Sequence, residues 1–117
     1  MENITYEDFC KVDIRVGTIL KAEPVPKSDK LLRLEINFGE EIGTRVIVAG
    51  IAKYFHTDYL VHQQVIAVVN MAPRKLLGIE SHGMILAGHV PAHQSTPNVE
   101  RVELVQCHSV PNGEKIG

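Results

Sequence analysis

The chain has 117 residues, 44% of them hydrophobic, enough for a single domain over 1–117 that buries roughly two-thirds of its unfolded surface. Twelve Lys plus Arg stand against 14 Asp plus Glu, a formal charge of -2. That balance excludes a uniformly basic binder of polyanions, so a nucleic-acid partner would need positive charge gathered on one face. No apolar run reaches roughly 18 residues, and the polar, acidic opening does not read as a signal peptide. The expectation is a cytoplasmic protein with no membrane span. Cys10 and Cys107 lack any CxxC spacing and are expected as two buried thiols.

In chain order, Thr5 and Asp8 give a capping signal for a turn or two of helix over Tyr6–Lys11, with Phe9 expected inward. Asp13 to Ala22 alternates: Ile14, Val16, Thr18 and Leu20 form one face of a half-buried strand, and Gly17 suggests a bulge or bend. Residues 23–30 hold Pro24 and Pro26 and read as a loop. Leu32, Leu34, Ile36 and Phe38 alternate with Arg33, Glu35 and Asn37, the clearest strand in the chain. Gly39 to Gly43 is a turn, and Arg45 to Ala49 returns as the hairpin partner. Gly50 to Gln63 has no clean period and reads as short helical turns closing one end of a barrel, with Tyr54, Phe55 and Tyr59 as plug residues. Gln64 to Asn70 is a nearly continuous apolar run, hence a central strand buried on both faces. Met71 to Ile79 reads as a loop, Gly83 to Ala87 as a strand, His89 to Asn98 as irregular, and Val99 to Cys107 as a last alternating segment.

Five strands, a bent first strand and a helical insertion before the fourth match an all-β OB-fold: a five-stranded Greek-key barrel with short helical additions. Such a barrel binds on its strand 2–3 face and the loops joining strands 1–2 and 4–5. The first loop and its edge carry Lys27, Lys30 and Arg33 against Asp29 alone. The second carries Arg74 and Lys75, with no acid before Glu80. Both expected ligand loops are therefore basic on a chain that is acidic overall.

Four motifs in order carry a resemblance. They are Asp13-Ile14-Arg15-Val16-Gly17, Ser28-Asp29-Lys30-Leu31-Leu32, Asn70-Met71-Ala72-Pro73-Arg74-Lys75-Leu76-Leu77-Gly78, and Glu80-Ser81-His82-Gly83-Met84-Ile85-Leu86-Ala87. From about Asp8 to Gly117 the chain resembles the tRNA-binding domain found at the C-terminus of methionyl-tRNA synthetases, in synthetase-associated cytokine precursors and as free-standing homodimers. The resemblance implies an OB-fold, tRNA as partner, and a homodimer built from Tyr6 to Val12 and from Val110 to Gly117. A chaperone-like, export-related cousin shares Gln64 to Asn70 and the same C-terminal ending. The chain departs from the synthetase pattern at His82, where Gln is common, and in His89-Val90-Pro91-Ala92-His93.

Lys30, Arg74 and Lys75 are the first candidates for phosphate contacts, with Arg33 and Lys27 as second choices. The family positions imply contacts to ribose or base edges from Asn70 and Ser81; the plain alternatives are a strand-ending turn residue and a local cap. Met84 reads either as an adaptable surface for a base or as core. Only Phe38 is expected as an aromatic near the binding face, so shape and backbone recognition of a folded RNA is favoured over base stacking.

Six histidines raise a metal site, but Pro91 between His89 and His93 breaks the helix that would align them, and no metal or other cofactor is expected. No phosphate loop, nucleophile elbow or zinc-protease motif is present, so no enzyme is expected. The rival to tRNA is an exposed peptide held on the same face, where Met71, Leu76, Leu77 and Ile79 flank the basic residues. An aminoacyl-tRNA synthetase as partner stands beside both.

Overall fold

A computed structural model describes residues 1–92 and 100–117. The elements are α1 (Tyr6–Cys10), β1 (Ile14–Pro24), β2 (Leu32–Asn37), α2 (Gly39–Ile42), β3 (Thr44–Ala49), α3 (Thr57–Leu60), β4 (Gln64–Val68), β5 (Arg74–Leu76), β6 (Ile79–Ser81), β7 (Met84–Ile85), β8 (Ala87–Val90) and β9 (Arg101–Leu104). Five strands form one antiparallel sheet in the order β3-β2-β1-β4-β7. β1 is shared: Ile14 to Thr18 pair with β4, and Thr18 to Pro24 pair with β2. That long, bent strand curls the sheet toward a barrel. The far edges approach each other where the His82 N–H donates to the Val46 carbonyl of β3 at 2.8 Å. The architecture is the OB-like barrel that the strand order predicts.

β2 follows its alternation without exception: Leu32, Leu34 and Ile36 are buried while Arg33, Glu35 and Asn37 are half-buried. β4 is buried on both faces from Val65 onward, also as expected. The core gathers Ile19, Leu34, Ile36, Phe38, Ile47, Leu60 and Val65. In the insertion Ile51 and Leu60 enter this core, and Phe55 packs on it and stacks on an exposed Tyr59 with ring centres 5.9 Å apart.

Several expectations change. The bulge in β1 falls between Ile19 and Lys21 and not at Gly17. There the Ile19 N–H and carbonyl pair with Gln63 and His62, so Ile19 turns inward and Leu20 outward. Gly17 serves close packing, since a Cβ there would stand 2.6 Å from both Ile36 and Phe38. Phe9 and Cys10 are exposed, because α1 lies on the outside of the barrel and buries none of its own residues, and Cys107 is half-buried. The turn after β2 contains α2, and the region read as a loop over Met71–Ile79 contains β5, the turn and the start of β6 of a hairpin that ends at Ser81. That hairpin's two-residue tip, Leu77 and Gly78, has φ of 49 and 82, the left-handed pair a type I′ turn requires. β7 is only two residues long, and β8 and β9 pair as a separate ribbon. The irregular stretch read from His89 onward is strand as far as Val90, and its part over 93–98 lies outside the described residues.

The C-terminal segment lies along the first half of β1, where β2 does not reach. Val16 N–H donates to the Glu114 carbonyl, Gly113 N–H to Val16 and Ile116 N–H to Ile14, at 2.8 to 3.0 Å. Gly113 crosses Gly39 so tightly that a Cβ would lie 2.5 Å from the Phe38 carbonyl.

Candidate nucleic-acid interface

The loop between β1 and β2 is built from within. Val25 is buried and anchors it, and its N–H donates to the Leu31 carbonyl at 3.2 Å. The Ser28 hydroxyl accepts from the N–H groups of Lys30 and Leu31 at 3.2 and 3.1 Å, a local turn that fixes Lys30 at the surface. The Lys30 carbonyl accepts the Ala52 N–H at 3.0 Å, which ties the insertion beside this loop and sets Lys53 next to Lys30. Lys53 is the basic residue that sequence reading missed. Its position in an aperiodic insertion gave no signal, because only the Lys30–Ala52 hydrogen bond places it.

Arg74 and Lys75 are exposed on β5, on the hairpin whose partner strand ends at Ser81. Arg74, Met71, Met84, Ser81 and Ile51 surround an open depression of about 290 Å³ on the β3 side of the barrel. Gly50 links it to the hollow that holds Lys30 and Lys53. Met71 and Met84 are both exposed, so Met84 is presented at the surface and not in the core. Among the described residues Lys27, Lys30, Lys53, Arg74 and Lys75 form no ion pair.

Three candidates are engaged within the fold. Ser81 is 4% exposed, and its hydroxyl accepts the Val48 N–H of β3 at 2.9 Å across the barrel closure. The Asn70 amide accepts from Asp13 N–H at 2.8 Å and donates to the Lys11 carbonyl at 2.6 Å, pinning α1 to the end of β4. Arg33 sits between Glu35 at 2.6 Å and Glu23 at 3.2 Å. Those carboxylates hold its guanidinium charged and neutralise it locally, and Arg33 in turn holds the Glu35 carboxyl below its ordinary range. Phe38 is fully buried and offers no ring to a ligand. His89 is on β8, 3.8 Å from Glu100, while its sequence companion His93 lies outside the described residues.

Residues 14–115 match the family model described as "Putative tRNA binding domain". The chain belongs to this tRNA-binding domain family. Its relatives include the methionine–tRNA ligase of Porphyromonas gingivalis, 57% identical over 86 residues, and that of Methanococcoides burtonii, 52% identical over 85. These alignments cover 74% and 73% of this chain but only 12% of each ligase. Similar structures are a MetRS-related protein from Pyrococcus horikoshii, with TM-score 0.85, 31% identity and all of both chains covered, and the chaperone CsaA from Bacillus anthracis. The latter has TM-score 0.81 and 37% identity over 99% of this chain and 100% of that one. A tRNA-binding domain is a non-catalytic module, and the ligase activity belongs to proteins of which this chain matches about one-eighth. Lys30 and Lys53 thus share a hollow that meets, at Gly50, the depression lined by Arg74.

Proposed function

We propose that this domain binds folded tRNA through the face that carries Lys30, Lys53, Arg74 and Lys75, reading shape and backbone. One observation carries the reading: these cations are exposed and unpaired among the described residues, on a chain whose formal charge is -2. Unpaired surface cations gathered on one side suit phosphate, and Phe38, the ring expected near this face, is buried. In this reading Ser81 and Asn70 hold the loops that present the cations, and Arg33 is a structural tie with a minor share in binding. Met84 and Met71 provide apolar contact beside Arg74.

The same face supports a second reading, an exposed peptide taken into the Met71–Met84 depression, favoured by the likeness to the chaperone CsaA. Titration of folded tRNA and of an unstructured RNA of equal length at low and moderate salt separates the two. Preferential, salt-sensitive tRNA binding, lost in Lys30→Ala and Arg74→Ala, supports the first reading. Binding without tRNA preference, or unaffected by both changes, overturns it in favour of the peptide.

We also propose a cytoplasmic homodimer that works alone or alongside an aminoacyl-tRNA synthetase. α1 and the C-terminal segment enclose a groove lined by Tyr6, Phe9, Val12, Ile14 and Ile116. Tyr6, Phe9, Val12 and Ile116 are all exposed there, an apolar surface suited to a second copy of the same elements.

A further inference from the structure

The loop between β1 and β2 and the tip of the β5–β6 hairpin face each other across a cleft of about 690 Å³. That volume is within the roughly 300–1,000 Å³ of small-ligand clefts. Pro24 and Pro26 line it from the loop, and Leu77 and Ile79 from the hairpin. Among the described residues only Lys27, His62 and Leu77 combine a side chain with a positive φ. Two of these three, Lys27 at 68 and Leu77 at 49, line this one cleft. Both serve tight turns: Leu77 opens the type I′ tip, and Lys27 follows Pro26 in the turn closed by the Ser28 N–H donating to the Val25 carbonyl at 3.2 Å. Leu77 is 61% exposed, so its side chain lines the cleft without belonging to the core. The two turns thus set an apolar and a cationic side chain on opposite walls of one cleft.

We propose that this cleft holds one unpaired nucleobase of the bound RNA between the prolines and Leu77, an inference that rests on the tRNA reading above. The chemistry fits a group with apolar faces, polar edges and phosphates on either side. The prolines, Leu77 and Ile79 supply apolar walls, while Lys27 at the cleft and Arg74 and Lys75 on the same hairpin supply positive charge for the flanking phosphates. Glu23 and Arg33, 3.2 Å apart along the same cleft, offer an acceptor and a donor to a base edge. An unstacked base is the part of a folded RNA that such a slot can reach.

The test compares an RNA hairpin carrying a single-nucleotide bulge with the same hairpin lacking it, alongside folded tRNA. The proteins are wild type, Leu77→Gly, Leu77→Asn and Arg74→Ala. Wild type is expected to bind the bulged RNA about tenfold more tightly, the scale of one packed base. Both Leu77 variants should lose that preference while melting within a few degrees of wild type, because Gly and Asn accept a left-handed φ. Arg74→Ala should weaken both RNAs alike. Binding of tRNA with no preference for the bulge, or a preference intact in the Leu77 variants, overturns the cleft alone. Failure of wild type to bind tRNA overturns the parent reading and the cleft with it.

Discussion

Arg15 is 9% exposed, and its guanidinium is shared among Asp13 at 2.7 Å, Glu41 at 3.3 Å and the Gly113 carbonyl at 2.9 Å. One side chain therefore ties the start of β1, the α2 turn and the C-terminal segment. Removing it leaves two carboxylates and a carbonyl short of a donor, so Arg15→Met should cost about 2–3 kcal/mol, read as a lower urea midpoint. Arg15 also holds the Asp13 carboxyl below its ordinary range. A carboxyl depressed in the folded state stabilises above its unfolded pKa and loses that contribution as pH falls through the folded value. Wild type should lose stability as the pH drops below about 4. Asp13→Asn should be less stable at pH 7 and lose less on acidification, as urea titrations at several pH values would show. Gly17→Ala places a methyl 2.6 Å from Ile36 and Phe38 and should cost about 1–3 kcal/mol by the same measurement. At this scale the sequence marked Gly17 as special but misjudged why, because the neighbours that crowd it are 19 to 21 residues away.

Among the elements, β2 and β4 were legible because burial is written into their period, and both keep it in the fold. The β5–β6 hairpin was not legible: Arg-Lys-Leu and Ile-Glu-Ser are too short for a period, and Leu-Gly is a weak turn signal beside Asn-Gly. The C-terminal segment adds three backbone hydrogen bonds to the free half of β1. Truncation after Val110 removes them and should cost roughly 3 kcal/mol at about 1 kcal/mol each, with early hydrogen exchange at the Val16 amide as the readout. Asn70→Ala frees the Asp13 N–H and the Lys11 carbonyl, and α1 should then fray before the barrel melts.

For the whole molecule, net charge and binding are separate questions. A formal charge of -2 coexists with a cationic face because the acids are spent elsewhere: Glu23 and Glu35 on Arg33, and Asp13 and Glu41 on Arg15. Each lysine that meets a phosphate should lower the salt slope of tRNA binding by about 1 when replaced by alanine. Lys53→Ala therefore should weaken binding and flatten that slope, despite carrying no motif. A dimer engaging one tRNA with both faces would double the change. Phe9→Glu, placed in the apolar groove, should give a monomer by sedimentation and reduce tRNA affinity while the barrel stays folded, since Phe9 lies outside the core.

Local order along the chain decided the barrel's strands, the two basic loops and the family, because period, turn chemistry and short motifs are properties of neighbours in sequence. Pairing across distance was decided only by the tertiary structure. Two carboxylates neutralise Arg33, Val48 occupies the Ser81 hydroxyl, and Asp13 with Lys11 occupies Asn70. Lys53 joins the basic face through one backbone bond from Ala52, and Lys27 meets Leu77 across a cleft. A side chain's charge and hydrogen-bonding capacity are fixed by its type, but what remains of them for a ligand depends on which partners the fold brings within reach.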